Sequence, residues 1–127
     1  MMNIRKTLLI VGIITLVLGL VLGCATGANR VAEPFAGNPS GRATGTAPGY
    51  GGPVEVTVTM EAGFITEVVI RGDQETPAFA QPVFMRAPRD MVRDNSAQID
   101  IIAGSTVTTQ AVISAAQSAI NQIIAGQ

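Results

Sequence analysis

The chain has 127 residues, 47% of them apolar, with eight basic and nine acidic side chains and a formal net charge of −1. It holds no histidine and one cysteine, Cys24, which excludes an internal disulfide, the usual zinc, copper and haem sites, and Ser–His or Cys–His nucleophilic catalysis. With Arg5 and Lys6 set aside there remain six arginines, no lysine and nine acids, a net −3, so no basic surface for nucleic acid is left and any redox chemistry must come from an organic cofactor.

Arg5 and Lys6 open the chain with positive charge. Leu8 to Leu22 follows as an apolar run broken only by Gly12, Thr15 and Gly19. At about fifteen residues it is shorter than the roughly 20 a membrane-spanning helix needs, and it suits the core of an export signal. Val21-Leu22-Gly23-Cys24 resembles the lipobox of bacterial lipoprotein precursors. This makes residues 1–23 a signal peptide and Cys24 the lipidated residue. The expected location is extracytoplasmic and membrane-anchored, at a periplasmic face or the cell surface. The other reading is an uncleaved anchor helix with an incidental cysteine. One acyl chain holds a protein weakly, whereas the diacylglyceryl and N-acyl chains implied by the lipobox would hold it firmly.

Residues 24–49 read as a flexible tether. Gly27, Gly37, Gly41, Gly45 and Gly49 are interspersed with Pro34, Pro39 and Pro48, and no apolar periodicity survives. A coil of that length has a reach of roughly 25–30 Å. Local packing of Val31 and Phe35 would shorten it.

Residues 50–127 read as the folded domain. Val54, Val56, Val58 and Met60 alternate with Glu55, Thr57, Thr59 and Glu61, the pattern of a half-buried strand. Glu61-Ala62-Gly63 forms a turn, and Phe64 to Arg71 a second strand, giving an antiparallel hairpin. Pro82 and Pro88 each suit a first helical position, which predicts a short turn after Pro82 and a helix from Pro88 to about Asp94, ended by Asn95-Ser96. Thr106 to Ala125 predicts the longest helix. Val112, Ala116, Ala119 and Ile123 share one face, and Gln110, Ser114, Gln117 and Asn121 mark the other. It carries no charged residue, so its polar face is a candidate contact surface. The expected class is α+β: a small single domain in which an antiparallel hairpin or sheet packs against a long C-terminal helix. Without a disulfide, a core of this size gains from a bound ligand.

Asp100-Ile101-Ile102-Ala103-Gly104-Ser105-Thr106-Val107-Thr108-Thr109 carries the chemistry. An apolar segment enters a Gly-Ser-Thr turn that opens the long helix, whose unpaired N–H groups and positive dipole end favour an anion such as phosphate. On these residues alone, Thr106 reads first as a helix N-cap. Here the chain resembles the FMN-binding domain family, which includes the flavin-carrying subunits of sodium-pumping NADH:quinone reductase and Rnf complexes and the N-terminal flavin module of some reductases. The family signature is Asp, two variable residues, Ser or Thr, Gly, Ala, Thr, and then commonly a second hydroxyl residue two places on. It falls here on Asp100, Ala103, Gly104, Ser105 and Thr106, followed by Thr108. Tyr50-Gly51-Gly52-Pro53-Val54 is similar to the family's opening segment, and Glu75-Thr76-Pro77 to its Glu-Thr-Pro element. The resemblance covers about residues 49–124. It departs at Ala103 and Ser105, and at Ala78-Phe79-Ala80, where glycine commonly follows Glu-Thr-Pro.

The resemblance implies FMN as cofactor, joined through a phosphoester to Thr106 by a flavin transferase that recognises Asp100. The implied surroundings are Gly104, Ser105 and Thr108, with Glu75 and Thr76 near the flavin. Tyr50 either stacks on the flavin or covers the hairpin edge, the second being preferred. Arg86, Arg89 and Arg93 read as a solvated face ahead of a phosphate contact. No residue is assigned as catalytic and no metal is expected. The first functional expectation is an electron carrier working with redox partner proteins, since flavin supplies the chemistry and the protein its attachment. The alternatives are a non-redox surface lipoprotein that keeps the fold for binding, and the flavin subunit of a multi-chain reductase.

Overall fold

Alternation along Val54, Val56, Val58 and Met60 places four apolar side chains on one face of a strand, and all four are buried. A computed structural model describes residues 31–127; the signal segment, Cys24 and the start of the tether lie outside the described residues. The described residues form three strands, β1 (Gly41–Pro48), β2 (Pro53–Glu61) and β3 (Phe64–Arg71), then two helices, α1 (Pro77–Asp94) and α2 (Thr106–Ala125). The strands make an antiparallel sheet in the order β1-β2-β3. Both helices lie against the sheet, α2 on β1 and β2, α1 on β3. The architecture is the expected α+β class, and β3 and α2 run over the predicted residues.

The register accounts for the core. Val54, Val56 and Val58 stand opposite Ala47, Gly45 and Ala43 on β1, and Val56 and Val58 opposite Ile70 and Val68 on β3. An irregularity at Thr59/Met60 pairs Thr59 with Glu67 and Met60 with Ile65. The extra residue, Thr66, lets Ile65 rejoin the buried face as a bulge does. From α2 come Val112, Ala116, Ile120 and Ile123, and from α1 Val83, Ala87 and Met91. Each large side chain so buried stabilises the fold by roughly 1.5–3 kcal/mol.

Two expectations are corrected. The first concerns the tether, whose later part is ordered. Phe35 packs against the core, its N–H donates to Gly63 O at 2.8 Å, and the Gly63 N–H donates to Pro39 O at 2.9 Å. Residues 41–48 are a full sheet strand. Its inward positions are Ala43, Gly45 and Ala47, too small to register as an apolar alternation. Small size is what the position requires: a Cβ on Gly45 would run into the Ala115 carbonyl of α2. The helix therefore rides directly on the β1 backbone.

The second correction concerns the prolines. α1 is one helix of 18 residues that continues through Pro82 and Pro88, with Pro77 at its start, where a missing N–H costs nothing. The internal prolines deprive the Ala78 and Phe84 carbonyls of their helical donors. The buried row Ala80, Val83, Ala87 and Met91 holds the helix to the sheet regardless. Pro82 lies on the exposed side, where water can serve the freed carbonyl.

Asn95 ends α1 in the left-handed conformation (φ 49°). Its buried side chain accepts from the Ile65 N–H at 2.7 Å and donates to the carbonyls of Glu33 and Gly63 at 2.7 and 3.0 Å. One amide thus pins the helix end, the β2–β3 turn and the incoming chain together.

Candidate functional site

The turn before α2 is built from Ile102 to Ser105. The Ser105 N–H donates to Ile102 O at 2.9 Å, and Gly104 takes φ +81°, the conformation a type II turn assigns to glycine. Helix α2 begins at Thr106. Ser105 occupies its N-cap position but makes no side-chain cap bond. Its hydroxyl instead donates to the Phe79 carbonyl oxygen at 2.7 Å. The N–H groups of the first turn, which have no partner within the helix, are left without that cap, and no acidic residue lies among them.

Above this helix start lies a cleft of about 350 Å³, lined by Tyr50, Phe79, Gly104, Ser105, Thr106, Val107 and Thr108, at the lower end of the roughly 300–1,000 Å³ of small-molecule sites. Tyr50 and Phe79 are 71% and 49% exposed, large aromatic side chains with much of their surface uncovered. The cleft thus combines aromatic and aliphatic walls with a polar floor at the positive end of a helix. That suits a planar apolar ring carrying an anionic tail, and FMN has this form.

The candidate hydroxyls divide sharply. Thr106 is exposed in the cleft. Ser105 is buried and bonded to Phe79, and Thr108 is buried and donates to Glu75 Oε2 at 2.6 Å. Thr109, fully buried, donates to Ser105 O at 2.7 Å.

Glu75 does not line the cleft. It is buried just before α1, and its Oε1 accepts from the Gly51 and Gly52 N–H groups at 2.6 and 3.3 Å. Burial opposes its charge, but the Thr108 hydroxyl and the Gly51, Gly52 and Tyr50 N–H groups outweigh that and hold the carboxyl below the usual carboxylate range. Glu75 therefore ties the loop that bears Tyr50 to the first turn of α2. Thr76 is exposed at the N-cap position of α1 without a side-chain cap bond, and Asp100 is exposed ahead of the turn; neither lines the cleft. Arg86 and Arg93 pair with Asp90 at 3.2 and 3.1 Å, away from it. Tyr50 stands at the cleft wall.

Sequence reasoning missed Phe79 as a wall of the site. The signal available was an exposed-length aromatic set between alanines just after Glu-Thr-Pro. Among the described residues there is no group of three or more acidic, histidine or cysteine side chains that could hold a metal, and no helix is long and apolar enough to cross a membrane.

The fold and cleft define a small cofactor-binding domain, a class that comparison with known proteins narrows. Residues 49–121, more than half of the chain, match the FMN-binding domain model. The chain belongs to the FMN-binding domain family and FMN is its cofactor. It is also similar to a NADH:acrylate oxidoreductase of Vibrio harveyi, 33% identical over 82 residues, a match spanning 65% of this chain and 8% of that protein. The chain thus corresponds to a small part of the relative's length.

Proposed function

We propose that this protein is an extracytoplasmic electron carrier in which FMN is joined by a phosphoester to the Thr106 hydroxyl. The observation that carries the reading is the division among the hydroxyls. Thr106 is exposed in the cleft, while those of Ser105, Thr108 and Thr109 are buried and donate to Phe79, Glu75 and Ser105. Attachment replaces the hydroxyl proton with a bond to the flavin phosphorus. The donor phosphate must therefore carry a leaving group, and a flavin transferase is the implied partner. The uncapped N–H groups of the first turn favour the phosphate, and Tyr50, Phe79 and Val107 supply apolar surface for the ring. Bound FMN takes up and releases one or two electrons.

Lipidation of Cys24 would hold the domain at a membrane surface outside the cytoplasm, within reach of redox partners. A second reading, the flavin-bearing subunit of a multi-chain reductase, is favoured by the likeness to a small part of a much longer oxidoreductase.

The test is expression of the full chain, exported in a host with an active flavin transferase, beside Thr106→Val. Flavin fluorescence on a denaturing gel that disappears in the variant is expected. A dark band from a yellow native protein would mean non-covalent FMN, and a colourless native protein would remove the carrier reading. Radiolabelled fatty acid should appear in the wild type and be lost in Cys24→Ala; label retained in that variant would sink the anchor proposal.

A further inference from the structure

We infer that Ser105 is a positioning residue for the cofactor cleft: its hydroxyl latches the first turn of α1 to the turn that opens α2 and thereby holds the Phe79 wall beside Thr106. The inference rests on the reading that the flavin occupies this cleft.

Ser105 stands where a serine would ordinarily cap a helix, accepting a hydrogen bond from an N–H of the first turn. It makes no such bond. The hydroxyl donates to Phe79 O at 2.7 Å, across 26 residues of sequence. That orientation does two things together. It leaves the first-turn N–H groups of α2 free to face a ligand, and it restrains a segment that needs restraint.

The start of α1 is the weaker part of that helix. Pro82 has no N–H to give the Ala78 carbonyl, and Pro77, Ala78 and Phe79 are all exposed. The buried row that holds α1 to the sheet begins only at Ala80. Among the described residues, the Ser105 contact is the one hydrogen bond joining α1 to α2 or to the turn before it. The Phe79 carbonyl has a second lone pair to offer, so it accepts the hydroxyl without giving up its place in the helix. Fixing that carbonyl fixes the residue whose ring lines the cleft.

The test is a double-mutant cycle on the full chain loaded with FMN and freed of unbound flavin: wild type, Ser105→Ala, Phe79→Ala and the double variant. The readout is iodide quenching of the native flavin fluorescence, which reports how open the cleft is. Removal of one net hydrogen bond shifts a local open–closed balance by about fivefold, so Ser105→Ala is expected to raise the quenching constant about two- to fivefold. Phe79→Ala should do the same, and the double variant should exceed neither by much, because both changes act through one wall. Ser105→Thr, which keeps the hydroxyl, should restore the wild-type value.

Unchanged quenching in Ser105→Ala overturns the latch. So does an undiminished effect of Ser105→Ala in the Phe79→Ala background, which would show that Ser105 acts elsewhere. If Ser105→Ala folds but takes up no flavin, uptake by Ser105→Thr supports the latch and failure of uptake overturns it. A wild-type chain that carries no flavin overturns the cleft reading itself, a result distinct from a loaded wild type with a silent Ser105→Ala.

Discussion

The two walls of the cleft are held in different ways. The Tyr50 wall hangs on a buried carboxylate: Glu75 gathers the Gly51 and Gly52 N–H groups and the Thr108 hydroxyl, at 2.6, 3.3 and 2.6 Å. The Phe79 wall hangs on one neutral hydroxyl bond from Ser105, at 2.7 Å. Both walls are referred to the same first turn of α2. Hydrogen bonds to a charged group are roughly twice as strong as neutral ones, so the loop that bears Tyr50 is the more firmly tied of the two. The charged latch depends on pH; the neutral one does not.

The largest expected effect falls on the seat both walls share. Gly45→Val places side-chain atoms against the Ala115 backbone, which cannot move without lifting α2 from β1. A loss of about 4 kcal/mol or more is expected, visible as a lowered urea midpoint or failure to fold. A midpoint close to wild type would mean that α2 does not need the close approach.

Next comes the charged latch. Glu75→Ala strands buried donors of the Gly51-Gly52 loop and Thr108, and should cost about 2–3 kcal/mol. Glu75→Gln keeps an acceptor but loses the charge, for about 1–2 kcal/mol. At about 4–8 °C per kcal/mol for a domain of this size, thermal melts separate the two. If both variants melt with the wild type, the carboxylate does not hold the loop.

The pH dependence sharpens the contrast. The folded pKa of Glu75 is depressed below 4.5. Its contribution is therefore fully present above the unfolded value and is lost as pH falls through the folded one. The stability gap between wild type and Glu75→Gln should be constant near neutrality and close in the acid range below pH 4.5. A gap that persists unchanged at pH 2 would show that folding does not depress the Glu75 pKa. Thr108→Val removes a donor that lowers this pKa, so its acid-unfolding midpoint should lie at higher pH than that of the wild type, with a loss of about 2 kcal/mol at neutrality.

The smallest effect belongs to the neutral latch. Ser105→Ala should cost about 1 kcal/mol in the flavin-free protein, with the same loss at pH 7 and pH 4. A loss that varies with pH would place Ser105 in the Glu75 network and erase the distinction between the walls.

Much of this protein is written in its local sequence. The alternation from Val54 to Met60 dictates β2, and the β-branched run after Gly63 dictates β3. The helical spacing of Val112, Ala116, Ala119 and Ile123 dictates α2 to its observed limits. The Gly104-Ser105-Thr106 turn was legible because glycine and hydroxyl residues before a helix have few other uses. These features depend on neighbours within a few positions, and periodicity reports them.

Other features were decided only when distant segments met. β1 carries no apolar alternation because α2 demands small residues along it, and smallness erases the apolar signal. Pro82 and Pro88 look like helix starts in isolation, yet the buried row from Ala80 to Met91 carries one helix through both. Nothing local says that Glu75 would grip a loop 24 residues earlier, that Asn95 would bind Glu33 and Gly63, or that the Ser105 hydroxyl would leave its own helix for Phe79. Each of those polar groups has an ordinary turn or cap role near at hand. Only packing, which removes water and requires every buried donor and acceptor to find a partner, determined which partner it took.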